Sequence, residues 1–310
     1  MTLEKEVEQE VWIPPKKVFL HSYHPDMKAA LDSNPNLYEY RHLTGWYFHP
    51  KGSDELIQQD VVDRNFIYDP KVFERNFIDN PDLRFSIDQN HPWMYKDIIL
   101  DMESHDLHNS SLPDWDQKAG EYRGICRMMK SAGRDVAVYG ISAGAGMFQT
   151  NWHIKRMEIY IEDKENPVSV RNKYENQLKT HYYPLWGRVM DSYKKTCEYF
   201  KDEVDAMVVS LYIPYLVLED GWRWEAWLNH AKNYIDAAKR LSGGKPVYVF
   251  VQPNYVAGGD KLQWTPIQMN VWNKWIKWLL KYDNCDRIYA FALGGKTQEA
   301  GWTDVLVRGN

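Results

Sequence analysis

Cysteine is scarce and poorly arranged for cross-linking: Cys126, Cys197 and Cys285 are the only three in 310 residues, widely spaced and odd in number. That excludes a disulfide framework and a CxxC zinc pattern, and three ordinary buried thiols are expected. Long apolar runs are also missing. No stretch reaches the roughly 18 consecutive apolar residues of a membrane span, so no span is expected. The segment from Met1 to Lys17 is polar and acidic and lacks the apolar core of a signal peptide. Localisation is left unknown, a secreted or virion-associated protein being compatible with a trimmed signal. A basic excess is absent too: 38 Lys and Arg stand against 43 Asp and Glu, a net charge of −5. Nucleic acid is therefore not an expected partner, because a clustered basic excess is its usual electrostatic footprint. Neither G-x-G-x-x-G nor G-x-x-x-x-G-K-[ST] occurs, and no cofactor is expected. Internal repeats and low-complexity stretches are likewise missing.

Aromatic rings are abundant: 14 Trp, 21 Tyr and 10 Phe make up 15% of the chain. Most such rings fill cores, but their apolar faces and polar handles also suit them to stacking on sugar rings. Residues 1–15 form a charged, flexible lead-in ended by Pro14-Pro15, and residues 16–310 form one unit. In that unit short apolar or β-branched runs alternate with longer amphipathic stretches. The predicted strands are Val18–Tyr23, Leu43–His49, Ile98–Glu103, Val136–Ile141, Met157–Ile161, Ala206–Tyr212, Val247–Gln252 and Arg287–Leu293, with a further short one at Arg84–Ile87. Predicted helices cover Gln117–Ser131, stopping at Ala132-Gly133, then Trp224–Leu241, stopping before Gly243-Gly244, and Pro266–Tyr282. Near-continuous apolar strands in strand–helix–strand order point to a buried parallel sheet. About eight of them in one unit of this length fit an α/β protein of (β/α)8 TIM-like barrel architecture. The connection from Ser142 to Arg156 is short and rich in glycine, so an irregular or missing barrel helix is expected there.

In such a barrel the active site lies at the carboxyl ends of the strands. The third predicted strand is a clean apolar run that finishes in Asp101-Met102-Glu103. Residues i and i+2 of a strand share a face about 6.6 Å apart, so both carboxylates are expected at the barrel mouth. Two such charges in a partly dry pocket cannot both ionise freely, and one pKa rises into the range a general acid needs. Two later strands each end in a tyrosine flanked by proline, Tyr212 before Ile213-Pro214 and Tyr255 after Pro253-Asn254. A phenol presented there can hydrogen-bond a sugar or a developing charge. Tyr139, Gln252, Trp46 and His49, at other predicted strand ends, are further candidate substrate contacts.

Leu100-Asp101-Met102-Glu103, Ser210-Leu211-Tyr212, and Pro246-Val247-Tyr248-Val249-Phe250 followed by Pro253-Asn254-Tyr255 together resemble the hyaluronidase family of glycoside hydrolases. That family carries D-W-E, S-x-Y and P-V-Y-V-F with R-P-x-Y on successive strands in the same order. The resemblance is distant and strong over about a tenth of the chain. It departs at Gln252, where the family has Arg, and at Ala292-Leu293-Gly294-Gly295, where the family has Trp before Gly. It implies endo-acting hydrolysis of an N-acetylated polysaccharide on a TIM barrel. Glu103 would be the proton donor and Asp101 would orient the acetamido group that attacks the anomeric carbon, with Tyr212 and Tyr255 helping to hold it. The departures imply a glycan other than hyaluronan, with an acidic one among the candidates.

Two alternatives stand beside a glycoside hydrolase. One is a non-catalytic glycan-binding or structural barrel, for which the aromatics serve equally well. The other is a polysaccharide lyase with a tyrosine base. His105, Asp106 and His108 lack the spacing of H-E-x-x-H, and no metal site is expected. Ser142-Ala143-Gly144 lacks the G-x-S-x-G elbow of a serine hydrolase and reads as a loop lining the cleft.

Overall fold

The structure, a computed structural model, describes residues 13–21, 24–40, 42–44, 97–101, 107, 109–139, 144–213, 222–255, 265–292, 298 and 300–308. Its strands are β1 (Lys17–His21), β2 (Tyr38–Tyr40), β3 (His42–Thr44), β4 (Asp97–Asp101), β5 (Asp135–Val138), β6 (Ala206–Ser210), β7 (Val247–Val251) and β8 (Arg287–Ala290). Every pairing between them is parallel, in the order β2-β1-β8-β7-β6-β5-β4-β3. The two ends of that order, β2 and β3, are separated in the chain by Arg41 alone. One pairs with β1 and the other with β4, so the sheet closes on itself. Eight strand segments thus fill seven positions of a singly wound (β/α)-barrel, each beside its successor in the chain.

Side-chain alternation divides the barrel cleanly. Val18, Leu20, Ile98, Leu100, Val136, Val138, Met207, Val209, Val247, Val249, Val251 and Ile288 point outward into the layer shared with the helices. Phe19, Tyr40, Ile99, Ala137, Ala206, Val208, Tyr248, Phe250 and Tyr289 point inward and form a separate cluster. A strand buried on both faces has no polar positions, which is why β7 reads Val-Tyr-Val-Phe-Val with all five residues buried.

The helices are α1 (Pro25–Ser33), α2 (Trp115–Ser131), α3 (Gly144–Glu162), α4 (Val168–Gln177), α5 (Tyr183–Phe200), α6 (Trp222–Leu241), α7 (Met269–Lys281) and α8 (Asp304–Arg308), with a π-helical turn at Leu178–Tyr182 leading into α5. Three of them match the predicted helices at Gln117–Ser131, Trp224–Leu241 and Pro266–Tyr282. On α7, Val271, Trp272, Trp275, Ile276, Leu279 and Leu280 are the buried stripe, a face packed on the sheet. Met157–Ile161, expected as a strand, lies inside α3, which starts at Gly144 within the Ser142–Arg156 connection where an irregular or missing helix was expected, and three helices lie between β5 and β6. Ile154, Met157 and Ile161 follow helical spacing and pack with Leu178, Tyr174 and Tyr182 in a satellite core of their own. The predicted strand Arg84–Ile87 and the lead-in 1–12 lie outside the described residues.

One corner is built twice at the amino ends of the strands. Helix α2 ends in Gly133 at φ 75°, with Gly133 N–H donating to Lys130 O and Arg134 N–H to Met129 O. Helix α6 ends in Gly243 at φ 73°, with Gly243 N–H donating to Arg240 O and Gly244 N–H to Lys239 O. Both are Schellman closures, which need the left-handed glycine that the sequence supplies. The strand that follows each is then pinned by an aspartate. Val136 N–H donates to Asp205 Oδ2 at 2.8 Å while Lys130 Nζ lies 3.1 Å from Asp205 Oδ1. Val247 N–H donates to Asp286 Oδ2 at 2.7 Å, beside Lys239 Nζ at 3.0 Å. Nearby, Arg127 and Arg123 donate to Glu203 and hold its carboxyl down at about 2.

Cys126, Cys197 and Cys285 are free and buried. Burial raises all three thiols, Cys197 and Cys285 to about 12, so none is a ready nucleophile. No described helix is long and apolar enough to cross a membrane.

Candidate active site

Inside the barrel the rings are packed solid. Phe19 stacks on Tyr289 with centroids 4.5 Å apart, and Tyr289 on Phe250 at 5.1 Å. At the amino ends of the strands the Arg287 guanidinium lies over Tyr248 at 4.5 Å and Phe19 at 5.3 Å. This is a filled core and not a pore. Partly exposed interior positions recur at the carboxyl ends, where Asp101, Tyr139 and Tyr212 are half-buried.

Asp101 closes β4 two residues beyond the inward-facing Ile99, so alternation turns its carboxylate to the mouth. Tyr139 follows β5, its backbone N–H donating to Leu100 O at 2.8 Å, and its ring meets Phe250 edge-on at 5.3 Å. Tyr212 follows β6 and lies beside Tyr139, both packed against the inner cluster. Tyr40, on β2, donates its hydroxyl to Ala290 O at 3.3 Å. Burial first, then neighbouring phenols, and then the Asp101 carboxylate push the hydroxyls of Tyr40 and Tyr212 well above the ordinary tyrosine value. Asp101 is thus close enough to both phenols to act on their ionisation. The mouth holds an acid ringed by tyrosines that stay protonated, which makes them donors to an oxygen and poor bases.

Gln252 extends the inward face of β7, two residues beyond Phe250, and is 3% exposed with no hydrogen-bond partner for its Nε2 among the described residues. His21 at the end of β1 meets Tyr40 and Phe291 edge-on at 5.4 and 5.3 Å. Beside it runs a chain of three polar groups. His24 Nε2 lies 3.0 Å from Gln298 Oε1, and Gln298 Nε2 donates to Asn254 Oδ1 at 3.1 Å. His24 Nδ1 also accepts from Asp26 N–H at 3.3 Å as the cap of α1, which assigns the ring proton to Nε2.

The structure therefore brings together Asp101, Tyr139 and Tyr212, and directs Gln252 inward on the same face. Tyr255 stands apart from them. After β7 the chain doubles back, Tyr255 N–H donating to Thr265 O at 3.0 Å and Ile267 N–H to Pro253 O at 2.8 Å. That turn buries Tyr255 to 1% exposure in the layer between sheet and helices, away from the mouth. Burial raises its phenol to about 12. Glu103, Trp46 and His49 lie outside the described residues, as do His105, Asp106 and His108. Among the described residues no group of three or more His, Cys, Asp or Glu is placed to hold a metal. Tyr40 escaped the sequence pattern because the second strand was expected at Leu43–His49. The alternation in Tyr38-Glu39-Tyr40 was the signal for it.

No family model matches the chain, and no curated protein sequence does. Among solved structures, the chain is similar to bee venom hyaluronidase at 8% identity and a TM-score of 0.41, over 90% of this chain and 91% of that one. Bee venom hyaluronidase in complex with a hyaluronic acid tetramer gives 8% identity and 0.39, over 90% of each chain. A GH128 (subgroup VI) exo-β-1,3-glucanase from Aureobasidium namibiae gives 10% identity and 0.40, over 90% of this chain and 84% of that one.

Proposed function

We propose that the chain is a glycoside hydrolase that cleaves a polysaccharide internally, with Glu103 as general acid and Asp101 assisting. The observation that carries this reading is Asp101 itself, a carboxylate at the carboxyl end of a barrel strand, turned inward and close to the phenols of Tyr40 and Tyr212. Carboxylate pairs are the usual machinery of glycoside cleavage, and Glu103 stands two residues further along the chain. The protonated Tyr212, with Tyr139 beside it, suits the binding of a neutral or developing-negative oxygen, such as the carbonyl of an acetamido group. In the substrate-assisted route Glu103 protonates the leaving oxygen. The acetamido oxygen attacks the anomeric carbon, and Asp101 accepts a hydrogen bond from the acetamido N–H, favouring the charge that develops there. Water then opens the ring intermediate with Glu103 as base.

The same ionisation argument weighs against a lyase. A tyrosine base must reach the phenolate near neutral pH, whereas burial and the Asp101 charge push Tyr212 the other way.

The test is Glu103→Gln beside Asp101→Asn, each assayed on a panel of polysaccharides with mass spectrometry of the products. Both are expected to lose hydrolysis by at least about a hundredfold with unchanged folding, on the scale general acid catalysis contributes. Survival of Glu103→Gln within tenfold of the parent would remove it as the acid. Tight glycan binding by the parent with no new reducing ends would replace the proposal with a non-catalytic glycan-binding barrel. Unsaturated products absorbing in the ultraviolet would identify a lyase.

A further inference from the structure

Tyr248 and Phe250 on β7 belong to the barrel interior, while Val247, Val249 and Val251 belong to the outer layer. Continuing that alternation by one step turns the side chain of Gln252 to the mouth. Its neighbours follow from register. Ser210 pairs with Phe250 and Phe250 with Tyr289, so Gln252 sits level with Tyr212 on one side and Phe291 on the other. The amide is 3% exposed, yet Nε2 has no hydrogen-bond partner among the described residues. A buried donor is almost always satisfied in a folded protein, and one left open at a strand end facing a cleft needs an explanation. The inward-facing strand-end residues around it are His21, Tyr40, Asp101, Tyr139, Tyr212 and Phe291, a set with one carboxylate and, among the described residues, neither lysine nor arginine.

We infer that Gln252 is a specificity-determining contact, its amide N–H donating to an uncharged oxygen of the substrate, so that the mouth takes neutral glycans in preference to uronate-bearing ones. An amide donor satisfies a hydroxyl or an acetamido carbonyl without desolvating a charge. A uronate in the same place would face the Asp101 carboxylate with, among the described residues, a neutral donor in place of a cation. This rests on the carbohydrate reading of the mouth and adds the class of sugar to it.

The experiment compares binding by calorimetry and hydrolysis by product analysis on the full chain. A chito-oligosaccharide and a β-gluco-oligosaccharide serve as neutral probes, and a hyaluronan oligosaccharide as the uronate-bearing one. The parent is expected to bind at least one neutral probe tenfold or more tightly than the uronate probe. Gln252→Met should weaken that binding about tenfold while the melting temperature holds or rises, since no internal hydrogen bond is lost. Gln252→Arg should move the preference at least tenfold toward the uronate probe. A parent that prefers the uronate or binds no probe overturns the inference, as does neutral-probe binding that Gln252→Met leaves unchanged. If Gln252→Met proves unstable, the preference of Gln252→Arg decides, and an unchanged preference overturns it. The expected binding pattern without cleavage of any probe would keep the inference and remove the hydrolase reading.

Discussion

Tyr212 and Tyr255 began as equivalent residues, each a phenol beside a proline at the end of a barrel strand. The fold separates them. Tyr212 is half-buried at the mouth, beside Tyr139 and raised in part by Asp101, whereas Tyr255 lies beneath the start of α7. If Tyr212 donates to the substrate, Tyr212→Phe should cut kcat about tenfold, the order of one lost hydrogen bond. Tyr255→Phe should leave kcat within twofold, since its ring stays in the outer core either way. Steady-state kinetics on whichever glycan is cleaved checks both, and equal losses would show that the mouth is not where Tyr212 acts. The placement of Asp101, Tyr139 and Tyr212 at the mouth was legible in the sequence because each lies at the end of a strongly apolar strand, and strand ends are where a parallel barrel exposes its interior. Tyr255 could not be placed that way. Its burial depends on the antiparallel bridge between Asn254 and Pro266, a contact that no local pattern announces.

Among the elements, the duplicated corner after α2 and α6 makes a prediction that the site should not feel. Asp205 and Asp286 each accept an N–H from the first two residues of a buried strand, Val136 of β5 and Val247 of β7, at the amino end of the barrel, opposite the mouth. Asp286→Ala would leave the N–H of the fully buried Val247 without that acceptor and Lys239 without its partner. A loss of about 1–3 kcal/mol of stability is expected, the cost of an unsatisfied buried donor. Urea denaturation measures it, and kcat/KM on a cleaved glycan should stay within twofold. The helices around this corner were legible because glycine marks their ends. Met157–Ile161 was misread for an equally physical reason. A five-residue run with Ile159, Tyr160 and Ile161 has the composition of a strand and is too short to show a helical period by itself. Only with Ile154 one turn earlier and Leu178 across the satellite core does the stripe become visible. The short segments β2 and β3 show the converse case, where two three-residue pieces on either side of position 41 are each too short to announce the position they fill in the barrel.

For the whole molecule, the buried titratable groups set the pH range in which the barrel holds together. Burial keeps His230 down at about 3, against 6.5 for the unfolded chain. Above 6.5 both states are neutral and the folded state loses nothing. As pH falls below 6.5 the unfolded chain takes up a proton that the folded one refuses, and stability drops at up to about 1.4 kcal/mol per pH unit. Glu203, held at about 2 by Arg127 and Arg123, begins to matter only below its unfolded value of 4.5, where its ion pairs are progressively lost. The acid limb should therefore be gentle between 6.5 and 4.5 and steeper below. On the alkaline side Cys197 and Cys285, raised from 9 to about 12, keep protons that the unfolded chain releases, so stability falls again above about 9. Tyr40 and Tyr212 add to that loss above 10. Urea unfolding across pH should give a plateau from about 6.5 to 9. His230→Phe, which keeps a ring between Trp227 and Tyr234, should flatten the upper acid limb by about 2 kcal/mol while leaving the slope below 4.5 in place. An acid limb unchanged between 6.5 and 4.5 in that variant would mean that His230 is protonated in the folded barrel.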